Sequence, residues 1–192
     1  MIGGSREAQP DACDLAPRGS SAVNRAIVVM GMSGCGKSTL ARALADALGW
    51  RFIEADTLHP QANIAKMSAG IALEDADRRP FLERVAQAIA AARAAGVVVS
   101  CSALKRAYRD LIRALAGEVT FVLPVVDRER LRDRLAARTG HFMPPSLLDS
   151  QLADFEGPQP DEHAILIDGT ASTGVQVART LALLTGGADA TR

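Results

Sequence analysis

Residues 31–38 read GMSGCGKS, three glycines followed by a lysine and a serine. The spacing is G-x-x-x-x-G-K-[ST]. Glycines let a backbone curl until successive N–H groups converge on an anion. A helix starting at Lys37 adds its positive end to the same place. The predicted nucleoside triphosphate (ATP) site is therefore Gly31, Met32, Ser33, Gly34, Cys35, Gly36, Lys37, Ser38 and Thr39. Lys37 is expected to reach the β- and γ-phosphates, and the Ser38 hydroxyl to ligate Mg²⁺. Cys35 reads as a small filler. Kinases, GTPases and motor ATPases share this loop, so it indicates a ligand without fixing a reaction.

A second group of residues bears on the acceptor. Glu54 and Asp56 fall at the end of the apolar run RFIEA, where strand alternation aims both to one side. A carboxylate there can hold a Mg²⁺ water, the role expected for Glu54, or accept a hydroxyl proton, the role expected for Asp56. His59, Asn63 and Lys66 follow at i, i+4 and i+7, one helical face, with Pro60 in the first turn. That face suits a hydroxylated, anionic small molecule; it equally suits an ordinary solvated helix. Arg134 and Arg138 lie four apart ahead of a proline-rich stretch. They either close over phosphates or pair with Asp133 and Glu129 at the surface. Asp75 and Asp77 have the charge that favours the start of a helix.

These residues need elements to hold them. Apolar, β-branched runs at 26–31, 51–55, 97–101, 119–124 and 164–168 read as strands covered on both faces. Helical patterns at 37–48, 78–95, 103–116, 127–138 and 173–185 alternate with them. The alternation predicts an α/β three-layer sandwich: a mostly parallel five-stranded sheet with helices on both faces. Ligands in such sheets sit at the carboxyl ends of the strands. Two stretches break the pattern, 56–77 and 139–163. They read as a substrate-facing insertion and a small lid.

The chain has 192 residues with 22 basic and 22 acidic side chains, so no net charge points to nucleic acid or an anionic membrane. No apolar stretch reaches the ~18 residues of a membrane helix. Cys13, Cys35 and Cys101 show no metal-ligand spacing and read as reduced thiols of a cytoplasmic protein. Residues 1–24 read as a disordered extension, 25–185 as a single domain, and 186–192 as a flexible tail.

Several blocks in order resemble one family. The phosphate loop, HPxxNxxKMxxG at 59–70, LxDxDR at 73–78, CSALKxxYR at 101–109 and RxxxRxxHFM at 134–143 are similar to gluconokinases of the shikimate-kinase-like P-loop group. The resemblance spans about 26–184. It implies Mg²⁺-dependent transfer of phosphate from ATP to D-gluconate; the alternatives are a kinase for another hydroxy acid such as shikimate, or a nucleotide switch with no acceptor. It implies catalytic roles for Lys37, Asp56, Arg134 and Arg138. Carried over by motif position, Asp56, His59, Lys66, Arg78, Ser102, Lys105 and Arg109 are the expected substrate-binding residues. It also implies a homodimer. Glu54-Ala55 stands where the family has Asp-Gly, while Asp56 is retained.

Overall fold

A computed structural model describes residues 25–136 and 146–186. The expectations for 1–24, for Arg138 and the first part of the lid, and for the tail beyond 186 lie outside the described residues. The strands are β1 (Ala26–Val29), β2 (Arg51–Glu54), β3 (Val97–Ser100), β4 (Thr120–Val125) and β5 (Ile165–Asp168). They form one sheet in the order β2-β3-β1-β4-β5, and every neighbouring pair is parallel. The helices are α1 (Lys37–Leu48), α2 (Gln61–Ser68), α3 (Asp75–Ala92), α4 (Arg106–Ala116), α5 (Arg128–Ala136), α6 (Ser146–Asp154) and α7 (Thr173–Leu184).

Strand alternation splits the interior into two layers. Val28, Val97, Val99, Phe121 and Leu123 face α3 and α4, joined by Phe81, Val85, Ile89 and Ile112. Ile27, Val29, Val98, Val122 and Ile167 face the other way, onto Leu40, Leu44 and Ala45 of α1 and Val177 and Leu181 of α7. Burying one such aliphatic or aromatic side chain is worth about 1.5–3 kcal/mol, so the two layers together supply most of the drive to fold. Trp50, just ahead of β2, packs into the second layer. Gly96 makes room for it: a Cβ there would lie 2.5 Å from the indole, and the backbone holds φ at 93°. No other residue type meets both demands without strain.

Two helix starts differ from the sequence reading. α3 begins at Asp75 rather than 78, because Glu74 and Asp77 close a reciprocal capping box around its first turn. α4 begins at Arg106 rather than 103. Residues 101–105 instead form a loop in which Ala103 takes a φ of 40°. Both shifts move charged side chains to helix starts that border the carboxyl edge of the sheet.

Candidate active site

β1 hands the chain to the phosphate loop at that edge. Met30 N–H donates to Val122 O at 2.8 Å, and Gly31 N–H to Ser102 O at 3.1 Å, which ties the loop to the ends of β4 and β3. Gly36 is the residue before α1 and sits at φ 94°, a left-handed turn that sends Lys37 and Ser38 into the first helical turn. A Cβ on Gly36 would touch nothing within 4 Å, so conformation rather than space requires glycine. Cys35 is buried with Leu131 against Met32, Val126, Leu135 and Leu152, where it packs as a small apolar group under the loop.

Hard oxygen donors gather beside Ser38. Its Oγ lies 3.4 Å from Ser100 Oγ, and Ser100 in turn donates a short hydrogen bond to Glu54 Oε1. Ser38, Ser100 and Glu54 thus form a chain across β3 and β2. A magnesium ion takes oxygen ligands and usually completes its shell with water and substrate phosphates. This donor set fits one. Among the described residues no group of three His, Cys, Asp or Glu could hold a metal alone. Asp56 does not follow Glu54 along the strand. It lies in a 3-10 turn, Ala55–Leu58, where it is exposed.

A cavity of about 460 Å³ opens beside the loop. Ser33, Lys37 and Ser38 of the loop line it together with Asp56, His59, Arg78, Ser102 and Tyr108. Ile64 and Met67 of α2 and Phe81 and Leu82 of α3 supply apolar wall, and Ser150 and Gln151 of α6 cover it. The His59 ring stacks on Phe81 at 3.7 Å. Burial lowers its pKa below the ordinary 6.5, only partly opposed by Asp56, so the ring is neutral near pH 7. Asn63 Nδ2 donates to His59 Nδ1 at 3.3 Å, which leaves Nε2 to carry the proton.

Arg78 lines the same cavity. Its Nη1 donates to Tyr108 Oη at 2.9 Å and to Asp154 Oδ2 at 2.7 Å. Lys105 lies behind it, 2.8 Å from Asp75 and 3.4 Å from Asp154. The Asp75 bond holds the Lys105 pKa above its ordinary value, and Lys105 and Tyr108 hold the Asp75 carboxyl below its own. Lys105 therefore reaches the cavity edge through the same acids as Arg78, without lining the cavity itself.

Two further expected acceptor residues, Lys66 and Arg109, do not line the cavity. Lys66 turns to the start of α3 and grips both oxygens of Asp77 at 2.7 Å, because the face carrying Asn63 and Lys66 packs on that helix. Arg109 is fully buried. Its Nε and Nη2 meet Glu162 at 2.5 and 2.8 Å, and its Nη1 donates to the carbonyls of Ala103, Leu104 and Glu156. Arg109 braces the 156–162 segment against α4 and does not line that cavity.

Arg134 of α5 reaches the loop from the opposite side, with Nη1 3.4 Å from Gly34 O and Nη2 3.1 Å from Gly169 O. From α6, Gln151 Oε1 accepts the Ser33 N–H at 2.8 Å. Sequence reasoning missed Ser100, Tyr108, Gln151 and Asp154. Ser100 had a signal, since it is the first polar residue after Val97–Val99 at the carboxyl end of a central strand. Gln151 and Asp154 had none beyond their place in the lid segment.

A glycine-rich loop between β1 and α1 on a parallel sheet, with an acceptor cavity alongside, defines a P-loop kinase. A family model described as an AAA domain matches residues 27–158. The chain belongs to the gluconokinase family: it is 48% identical over 149 residues to the gluconokinase of Gluconobacter oxydans (strain 621H), covering 76% of this chain and 83% of that one. A gluconokinase structure from Sinorhizobium meliloti 1021 superposes with a TM-score of 0.75 at 46% identity, over 83% of this chain and 90% of that one. An unliganded sugar kinase from Janibacter sp. HTCC2649 superposes at 0.79 with 43% identity, over 88% and 99%.

Proposed function

We propose that the protein phosphorylates D-gluconate with ATP, giving 6-phosphogluconate. One observation carries this reading: a single cavity joins Lys37 and Ser38 of the phosphate loop to Asp56, His59 and Arg78. A triphosphate and a short sugar acid laid end to end would meet there.

Phosphoryl transfer asks a protein for alignment and charge neutralisation more than covalent help. The loop amides and Lys37 hold the β- and γ-phosphates. Ser38, supported by Ser100 and Glu54, would hold Mg²⁺, which supplies positive charge between the phosphates. Asp56 orients the attacking hydroxyl and takes its proton. His59 and Ser102 bind hydroxyls along the sugar chain, and Arg78 with Lys105 receives the carboxylate at the other end. Arg134, seated on the loop carbonyl of Gly34, stabilises charge on the transferring group; Arg138, four residues on, is assigned to the same task. The protein is read as a cytoplasmic homodimer, and light scattering of the purified protein tests the assembly.

The deciding assay is ADP release with ATP and Mg²⁺ against D-gluconate, shikimate, other sugar acids, AMP and no acceptor. Strong stimulation by gluconate alone is expected. Stimulation by a different acid would move the substrate while keeping the chemistry. Turnover indifferent to every acceptor would refute the kinase reading.

A further inference from the structure

Arg78, in the cavity wall, and Lys105, behind it, are already matched. Asp154 gives one carboxylate oxygen to each: Oδ2 to Arg78 at 2.7 Å and Oδ1 to Lys105 at 3.4 Å. Asp75 lies on their other side, 2.8 Å from Lys105 and 3.9 Å from Arg78, and accepts from Tyr108 Oη at 2.5 Å. Two positive and two negative groups cancel, so an entering anion finds no net charge while all four stay together. The two acids are not equivalent. Asp75 opens the helix that carries Arg78 and cannot part from it. Asp154 ends α6, which also meets the phosphate loop through Gln151.

The spacing of Asp154 across both cations is what a carboxylate ligand would adopt. We propose that Asp154 is an internal stand-in for the acceptor's carboxylate, holding Arg78 and Lys105 until the acid displaces it. The inference rests on the reading of this cavity as a gluconate site. It makes Asp154 a specificity-determining residue. A carboxylate competes for both cations and removes Asp154; a neutral polyol of the same length has nothing with which to do so. Displacement also loosens the hold of α6 on the loop, since Gln151 and Asp154 are neighbouring turns of one helix. Acid binding then releases the Ser33 N–H from Gln151 toward a phosphate oxygen, which links the two halves of the site. The apparent affinity for the acid is the intrinsic affinity reduced by the fraction of molecules in which Asp154 has let go.

The test compares wild type, Asp154→Asn and Asp154→Glu, using KM for gluconate and the inhibition constant of D-glucitol, which has CH₂OH in place of the carboxylate. Asp154→Asn is expected to lower the gluconate KM about three- to tenfold, since a partly exposed ion pair no longer competes. The glucitol constant should not change, and Asp154→Glu should stay near wild type. A gluconate KM that rises or holds in Asp154→Asn overturns the proposal. Hydrogen exchange in the wild type, over 149–154, gives an answer even if the variant does not fold. Faster exchange with gluconate but not with glucitol is expected; unchanged or slower exchange with gluconate overturns the idea. Wild type that ignores gluconate in the ADP assay would instead remove the substrate reading itself.

Discussion

Two arginine clusters flank α4, and they put the same chemistry to opposite uses. Arg109 and Glu162 form the sealed one, with side chains 0% and 1% exposed. Every nitrogen of that guanidinium has a partner, in the ring of carbonyls and the carboxylate described above. Arg78 and Asp154 form the open one, 15% and 26% exposed, with Arg78 in the wall of a cavity and Asp154 behind it. Both pairs are short and charged. What separates them is whether another anion can get in. A dry pair with all donors spent is a brace, whereas a pair whose partner arrives from a different helix can exchange that partner.

Breaking the sealed cluster should have the largest effect. Arg109→Ala leaves the buried Glu162 with only the Gln159 N–H and a 3.7 Å contact to Arg113, and is expected to cost about 3–5 kcal/mol of stability, read by urea unfolding. Unchanged stability with a raised acceptor KM would put Arg109 back in the site. On the open side, Asp56→Asn should leave the unfolding curve where it is and cut kcat about a hundredfold. An effect confined to KM would take the proton-accepting role away from Asp56. Arg78→Ala should raise the acceptor KM roughly tenfold or more, the worth of a charge-assisted bond, with a smaller change in kcat. Equal KM values for the variant and wild type would show that the carboxylate lies elsewhere.

The last effect concerns pH. The Arg109 bonds hold the Glu162 carboxyl at about 2, against an ordinary 4.5. A depressed carboxyl contributes stability that is complete above its unfolded pKa and is lost as pH falls through its folded one. Wild type should therefore lose stability between about pH 4.5 and 2, and Glu162→Gln should flatten that part of the profile. An unchanged acid profile would mean that other carboxylates set it.

The same contrast explains what could be read from the sequence. The phosphate loop is contiguous, so its residue types and spacing carry its geometry. The strands announce themselves as short apolar runs, and they end a residue or two early where Met30, Ala55 and Cys101 leave the sheet for the site. The acceptor half is assembled from α2, α3, α4 and α6, and no local pattern says which charge meets which. Lys66 finds Asp77 eleven residues on, and Arg109 finds Glu162 fifty-three residues on. One clue to Arg109 was available. It shares the stripe of α4 that holds Ile112 and Ala116, three and seven residues further along, and a charge in an apolar stripe asks for a buried partner.

Trp50 is the only tryptophan in the sequence. Its indole is wedged against Gly96 at the amino end of β2, four residues from Glu54, about 13 Å along the strand at the usual rise. The molecule thus carries its own optical gauge, placed on the far side of the sheet from the chemistry. Its emission is expected to follow collapse of the α1–α7 layer and to stay level while nucleotide and acid fill the carboxyl edge. Unfolding curves taken at that wavelength can be compared between variants without a contribution from the ligand to the signal.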